Sequence, residues 1–126
     1  MPQPDLTGPW SIGQIEEFLQ GAVIPLRLST INPNGWPIVL SLWFLYEDGV
    51  LWAASRGTSR IVSFLKAHAR CGFEIAGETA PYFGVRGYGV ASIAPDTDAR
   101  LLKRLSARYL GPAETPFRDW LLDNAE

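Results

Sequence analysis

The alternation of apolar and polar residues predicts three consecutive strands between residues 22 and 55. The run AVIPLRLSTI is rich in aliphatic and β-branched residues, and the turn cluster NPNG separates it from a second run at 36–46. A further turn, EDG, leads into the third run, VLWAAS. Because Asn-Gly and Asp-Gly pairs favour tight hairpin turns, the three strands are expected to be antiparallel and joined in sequence order.

The second of these strands is apolar on both faces. Successive side chains of a strand point to opposite sides of a sheet. One side receives Trp36, Ile38, Leu40, Leu42, Phe44 and Tyr46, and the other receives Pro37, Val39, Ser41, Trp43 and Leu45. Ser41 is the one polar residue in the interior of the strand. A hairpin with one face in water would show more polar residues on that side, so both faces are expected to be covered.

Helical patterns surround the strands. In SIGQIEEFLQG, Ser11 and Gln14 have the spacing of a capping box. In RGTSRIVSFLKAHAR, the apolar residues fall on one helical stripe that starts after Thr58 or Ser59 as the cap. The runs CGFEIAGE and YFGVRGYGVASIA are typical of two further strands.

Two helices are predicted after Pro95. Asp96 caps the first of them, and the helical period turns one set of residues inward and a basic set outward. The inward set is Leu101, Leu102, Leu105 and Tyr109, and the outward set is Arg100, Lys103, Arg104 and Arg108. Thr115 caps a last helix, with Pro116 at its first position.

The resulting order, α, βββ, α, ββ, αα, predicts an α+β protein, mainly β, with an antiparallel sheet. Closure of that sheet into a small barrel would remove its edges. Residues 1–126 are expected to form a single domain, with an N-terminal arm at 1–10, the barrel core at 22–95 and the C-terminal helices at 96–126.

Composition narrows the class of protein. The 126 residues are 47% hydrophobic and 19% charged, as in one globular domain. The net charge of −2 and the pI of about 5.4 lack the basic excess that nucleic-acid binding usually needs. Cys71 is the only cysteine, which excludes an internal disulfide and a Cys-rich zinc site. With neither a signal-peptide pattern nor a membrane-spanning run, a soluble cytoplasmic protein is expected.

The segment SRGTSR at the start of the second helix carries the most informative chemistry. Helix N-termini are partially positive and usually gather Asp and Glu, yet this one holds Arg56, Arg60, three hydroxyls and no acid. Amides, hydroxyls and guanidinium groups together would cradle a phosphate. The alternative is that Thr58 or Ser59 simply caps the helix while the arginines are solvated.

Arg27 is a charge inside an otherwise apolar strand, where an arginine either points to water or reaches an anion. It would lie near the SRGTSR segment if the first and third strands flank the second. His68, the only histidine, is predicted mid-helix without catalytic partners. The glycines of GVRGYG lie inside a strand with no helix after them, which excludes the dinucleotide fingerprint. Because neither paired carboxylates nor a metal-ligand cluster occurs, no metal site is predicted, and a bound organic cofactor would supply any chemistry.

Several of these motifs follow one another in a known order. They are Arg27 to Thr30 in a strand, the Asn34-Gly35 turn, the aromatic pair Trp43-Phe44, the strand from Leu51 to Ala54, and Ser59-Arg60 opening a helix. In this order, residues 22–95 resemble the flavin-binding split-barrel family, which includes the pyridoxamine 5'-phosphate oxidases and related flavin and deazaflavin reductases. The family fold is a six-stranded antiparallel split β-barrel with flanking helices, and it forms a homodimer with the flavin in a cleft at the subunit interface.

The resemblance implies an FMN-binding oxidoreductase that passes a hydride or electrons between a nicotinamide donor and an unknown substrate. It implies that Arg27, Ser59 and Arg60 hold the flavin phosphate, with Thr58 as a helper and Ser29 also among the cofactor-binding residues. The residues that would line the isoalloxazine ring, largely through backbone groups, are Ser41, Leu42, Trp43, Ala53, Ala54 and Ser55. The resemblance assigns no catalytic residue.

Departures from the family pattern leave other functions open. Members that bind FMN tightly often carry lysine where this chain has Arg60 or Ile61, and the longer oxidases add C-terminal residues for pyridoxamine phosphate. Relatives also hold deazaflavin or heme. The alternatives are a deazaflavin-dependent reductase, a non-catalytic flavin- or heme-binding sensor, and an oligonucleotide-binding barrel that stacks bases on Trp36, Trp43 and Trp52. The acidic pI opposes the last of these.

Overall fold

A computed structural model describes residues 5–111, which form an α+β fold with antiparallel sheets. The elements are α1 Ile12–Gly21, β1 Leu26–Ile31, β2 Pro37–Leu42, β3 Phe44–Glu47, β4 Val50–Ala53, α2 Arg60–Ala67, β5 Arg70–Ala76, β6 Gly84–Val90, the 3-10 turn Thr97–Ala99 and α3 Arg100–Leu110. None of the helices in this range is long and apolar enough to cross a membrane. The helix predicted from Thr115 lies outside the described residues.

The strand predicted at 36–46 is in fact two strands that belong to different sheets. β2 pairs with β1 in a sheet of order β2-β1-β5-β6, whereas β3 pairs with β4 in a second, two-stranded sheet. The chain changes sheet at Trp43, between Leu42, which lies opposite Leu26, and Phe44, which lies opposite Ala53. The prediction of one continuous strand is wrong, because no glycine or proline marks this bend.

The two sheets do not close into a barrel within residues 5–111. Every strand pair described there is antiparallel, as predicted. β2 and β6 form the two edges of the larger sheet. The larger sheet therefore keeps two separate faces, which the alternation of side chains makes very different.

The inner face of the larger sheet carries the hydrophobic core. Its residues are Leu26, Leu28 and Thr30 of β1 with their neighbours Leu40, Leu42, Cys71, Phe73, Ile75 and Val85. Ile61, Val62 and Leu65 of α2 pack on Leu28. Leu19 of α1 and Phe44 of β3 pack on Leu26 and Ile75. Full burial of such side chains stabilises a fold by about 1.5–3 kcal/mol each.

The outer face of the same sheet is open in the described structure. The register places Ser41, Arg27, Glu74 and Arg86 in one row across the four strands, and Val39, Ser29, Gly72 and Tyr88 in the next. Tyr88 is 92% exposed and Val39 is 68% exposed. These exposed apolar residues stand on the two edge strands, and Ser29 and Gly72 lie between them.

The ends of the helices are held by side chains. The predicted capping box is confirmed. The backbone N–H of Gln14 donates to the Ser11 hydroxyl, and the backbone N–H of Ser11 donates to the side-chain oxygen of Gln14. Asp96 caps α3, accepting from the amides of Leu101 and Leu102 at 2.9 and 3.1 Å. A 3-10 turn separates Asp96 from the helix, which begins at Arg100.

Arg108 points inward, although the sequence pattern places it on the solvated side of α3. Its guanidinium donates to the carbonyl oxygens of Leu19, Gln20 and Ala22 at the end of α1. It also lies 5.5 Å from the centre of the Phe44 ring. The last carbonyls of a helix lack partners within the helix and form its negative end, so a cation from another helix satisfies them.

Candidate cofactor site

The start of α2 keeps the acid-free character that the sequence predicts. The helix begins after Ser59, and its first turn contains no acidic residue. The Ser59 side chain makes no capping hydrogen bond to the helix amides; its hydroxyl lies 2.8 Å from the hydroxyl of Ser55 instead. The alternative that Ser59 caps this helix with its side chain is therefore wrong.

Arg27 lies on the outer face and contacts Ser41, the residue directly opposite it on β2. One guanidinium nitrogen donates to the Ser41 hydroxyl, and another forms an ion pair of 3.2 Å with Glu78. The Arg27 side chain is 42% exposed and that of Glu78 is 78% exposed. Exposed ion pairs contribute about 0–1 kcal/mol, so a second anion can replace Glu78 at little cost.

Arg27 and the start of α2 lie on opposite sides of β2. The helix packs on the inner face, where Ile61 and Val62 belong to the cluster that Leu42 contacts. The condition predicted to bring them close, that the first and third strands flank the second, is not met, because β4 pairs with β3 in the smaller sheet and does not extend along β2. A ligand that both groups hold would therefore have to pass around β2, which is an edge strand.

The residues predicted to line a flavin ring come from two runs that the structure brings together. The β3–β4 ladder ends with Phe44 opposite Ala53. Residues 41–43, which precede Phe44, and residues 53–55, which begin at Ala53, therefore start from the same end of this ladder. Ser41 faces outward and Leu42 faces the core. Trp43 is half-buried, and its ring is stacked on Tyr109 with centroids 5.1 Å apart and 8° between the planes.

Tyr109 of α3 holds the bend between β2 and β3. The amide of Phe44 donates to the tyrosine oxygen at 3.1 Å, and the tyrosine hydroxyl donates to the carbonyl oxygen of Ile24 at 2.8 Å. Sequence analysis places Tyr109 inward but gives it no role. The signal that could have found this role is the hydroxyl itself, because a buried tyrosine hydroxyl usually has a hydrogen-bond partner.

A cleft of about 2240 Å³ opens on the inner face. Four of the residues that the resemblance assigns to the cofactor line it: Leu42, Ala53, Ala54 and Ser55. Arg56 and Gly57 of the predicted phosphate-binding segment SRGTSR line it as well. The other predicted residues do not: Arg27, Ser29, Ser41, Trp43, Thr58, Ser59 and Arg60. The volume exceeds the roughly 300–1,000 Å³ of a typical small-molecule pocket.

Aromatic residues that sequence analysis missed lie on one side of this cleft. Trp10, from the predicted N-terminal arm, is stacked on Phe83 with centroids 6.4 Å apart and contacts Phe18 at 5.4 Å. Tyr82 and Phe83 are both exposed in the loop between β5 and β6. The sequence signal for this contact was the tryptophan itself, because a large aromatic side chain in a proline-rich segment without periodicity indicates packing against the folded domain.

The ionisable groups near the cleft offer little catalytic chemistry. Burial raises the pKa of the Cys71 thiol, which keeps it protonated and a poor nucleophile. His68 is the C-cap of α2 rather than a mid-helix residue, and it lies at the end of the helix opposite Ser59. Residues 5–111 contain no group of three or more His, Cys, Asp or Glu placed to hold a metal ion.

No protein-family model and no curated protein matches this chain, but several solved structures share its fold. A conserved hypothetical protein from Mycobacterium tuberculosis is 27% identical with a TM-score of 0.72, over 91% of this chain and 73% of that one. A structure described as an F420 reductase is 28% identical with a TM-score of 0.66, over 79% of this chain and 80% of that one.

A third structure, an FAD-binding protein from Mesorhizobium loti, has a TM-score of 0.62 over 89% of this chain and 78% of its own. Its identity of 21% shows likeness of fold alone. The resemblance read from the sequence is confirmed at the level of the fold: this chain has the split-barrel-like α+β architecture of these proteins, with two antiparallel sheets.

Proposed function

We propose that this chain binds a flavin-type cofactor at the edge of β2 and is an oxidoreductase related to the pyridoxamine 5'-phosphate oxidase-like proteins. The observation that carries the proposal is the contact of Arg27 with Ser41 on the exposed outer face, taken together with the acid-free start of α2. The 28% identity to an F420 reductase, over most of both chains, supports the same reading.

The residues around this edge suit the two ends of such a cofactor. Arg27, Ser59 and Arg60 would hold its phosphate, with Thr58 and Ser29 nearby. Guanidinium–phosphate hydrogen bonds are charge-assisted, and the N-terminus of a helix adds a partial positive charge. The ring would lie along residues 41–43 and 53–55. Every one of these groups binds or orients the cofactor rather than acting on the substrate.

FMN is the first candidate cofactor and a deazaflavin such as F420 is the second. The motifs that resemble the flavin-binding split-barrel family favour FMN, and the similarity to an F420 reductase favours the deazaflavin. When bound, either would supply hydride transfer to a substrate. The chain itself would position the ring and exclude water from it.

We also propose that a second copy of the chain covers the outer face. Val39, Tyr88 and Val90 are exposed on this face. The row Arg27, Glu74 and Arg86 alternates in charge. Alternating charges suit a two-fold interface, in which the same surface of both copies is in contact. Sedimentation equilibrium is expected to show a dimer that Tyr88→Lys with Val90→Lys converts to a monomer. A wild-type protein that is monomeric at all concentrations would contradict this assembly.

The binding test is a titration of the purified protein with FMN and, separately, with F420, followed by cofactor fluorescence. Loss of one charge-assisted contact costs about 1.5–3 kcal/mol, or roughly 10- to 150-fold in affinity. Arg60→Ala is therefore expected to weaken binding at least tenfold, and Arg60→Lys less, since it keeps the charge. Lys103→Ala, which removes an exposed cation from α3, is the matched control and should leave affinity unchanged.

Three results would overturn the proposal or change its class. A folded protein that binds neither cofactor contradicts it. Bound FMN that no nicotinamide donor reduces under anaerobic conditions assigns a sensor or carrier instead of an oxidoreductase. A heme spectrum in the purified protein assigns the heme-binding alternative.

A further inference from the structure

Acidic side chains flank Arg27 on the outer face. Glu74 lies directly opposite it on β5, and Arg86 lies opposite Glu74 on β6. Glu78, which follows β5, forms the 3.2 Å ion pair with the guanidinium group. Because Glu74 has Arg86 as its own cross-strand neighbour, Glu78 is the carboxylate that binds Arg27.

The loop that carries Glu78 can release its side chain without rearrangement. The loop is closed by main-chain hydrogen bonds from Gly77 to Phe83 at 3.0 Å and from Tyr82 to Thr79 at 2.9 Å. Neither bond uses the Glu78 side chain. Since that side chain is 78% exposed, it would be hydrated as soon as it leaves Arg27, and exposed ion pairs are weak and screened by salt.

A phosphate and the Glu78 carboxylate would need the same side of the Arg27 guanidinium group. A phosphomonoester carries about −1.5 to −2 charges near pH 7 and three acceptor oxygens, whereas a carboxylate carries one charge and two oxygens. The hydrogen bond from Arg27 to Ser41 uses a different nitrogen and would hold the arginine in place during the exchange.

We infer that Glu78 is an internal anion that occupies Arg27 in the absence of ligand and competes with the cofactor phosphate for it. The inference rests on the function proposed above, and it names the residue that sets how strongly the site prefers a phosphate. The competition acts on the phosphate end alone. A ligand that has the same ring but no phosphate is indifferent to Glu78.

The experiment compares the affinities of FMN and riboflavin for the wild-type chain, Glu78→Gln, Arg27→Ala and the double variant. Removal of an exposed ionic competitor is expected to tighten FMN binding by about two- to fivefold and to leave riboflavin binding unchanged. The gain should vanish in the Arg27→Ala background, since a double-mutant cycle isolates the pair. It should also shrink at high salt. Glu17→Gln, which removes an exposed carboxylate from α1, is the control for net charge.

Each contrary result has a distinct meaning. Weaker FMN binding by Glu78→Gln overturns the inference, because Glu78 would then position Arg27 instead of competing with the ligand. An equal gain in affinity for riboflavin also overturns the inference. So does an equal gain in FMN affinity when Glu78→Gln is made in the Arg27→Ala background, or when Glu17→Gln is made instead. In each of these cases the effect would be general electrostatics. These results leave wild-type FMN binding intact, whereas a wild-type chain that binds neither compound overturns the proposed function and this inference together.

Discussion

The inner and outer faces of the larger sheet are built from the same four strands, yet they offer opposite environments. Leu26 and Leu28 of β1 are buried against helices and the smaller sheet, while Arg27 and Ser29 between them face outward. The cleft of about 2240 Å³ opens on the inner face, on the side where α2 packs, whereas Arg27 lies on the outer face. If the proposed function holds, the volume of the cleft alone does not locate the phosphate end of the ligand.

The comparison also accounts for the apolar character of β2 on both sides. Leu40 and Leu42 fill the core from the inner face, and Val39 belongs to the exposed outer face. The apolar pattern then continues without a break into β3, although the chain changes sheet at Trp43. A cofactor and a second copy of the chain on the outer face, as proposed, would cover the remaining side.

The largest expected effect comes from truncating a core residue on the inner side of the sheet and comparing its stability with that of a truncation on the outer face. Phe44 is fully buried, so Phe44→Ala is expected to lower the free energy of unfolding by about 3–5 kcal/mol, measured by urea denaturation. Val39→Ala on the outer face should change it by less than about 0.5 kcal/mol in the monomer. Any larger loss in Val39→Ala should depend on protein concentration, as expected for an interface residue. Equal, concentration-independent losses at the two positions would contradict the assignment of the faces.

Removal of the Tyr109 hydroxyl tests what holds the bend between the two sheets. Tyr109→Phe leaves the Phe44 amide and the Ile24 carbonyl without this partner, which is expected to cost about 1–3 kcal/mol of unfolding free energy. Tyr82→Phe removes an exposed hydroxyl and serves as the control. Equal stability of the two variants would show that the bend does not depend on Tyr109.

The smallest effect is expected at a surface ion pair that belongs to neither face. The hydrogen bond and charge of Arg104 lower the pKa of Glu47. A carboxyl whose pKa is lower in the folded state stabilises the fold above its unfolded pKa, and this contribution disappears as the pH falls through the folded value. Glu47→Gln should therefore be slightly less stable than wild type at neutral pH and equally stable in acid. A difference that persists in acid would exclude this origin.

Local signals in the sequence predict much of the fold. The Ser11–Gln14 capping box, the β1–β2 hairpin and the helix that opens at Arg60 all follow from spacing and turn residues within a few positions. These features depend on residues that are close together in the sequence, so they can be predicted without knowing the tertiary structure. The orientation of Ser41 away from the core follows in the same way from strand alternation.

Contacts between distant segments could not be predicted. The switch of sheets at Trp43 is fixed by Tyr109 from α3, and the inward turn of Arg108 is fixed by the end of α1. In the candidate site, the pairing of Arg27 with Glu78 joins residues 51 positions apart. In each case the partner lies on an element that is distant in the sequence, and only the folded chain brings the two together. The amphipathic pattern of α3 therefore places Arg108 on the solvent side, because it contains no information about α1.

The most direct test of the central claim, that the cofactor binds at the edge of β2, is an FMN titration of two variants, one that fills the outer face at β2 and one that fills the inner cleft at β6. Ser41→Phe places a ring on the outer face, and Gly89→Val places a side chain in the inner cleft, where a Cβ at residue 89 meets no atom within 4 Å. The account predicts that Ser41→Phe weakens FMN binding by roughly tenfold or more, at least 1.4 kcal/mol, while Gly89→Val binds like wild type. Loss of binding in Gly89→Val with normal binding in Ser41→Phe would place the cofactor in the inner cleft and contradict the account.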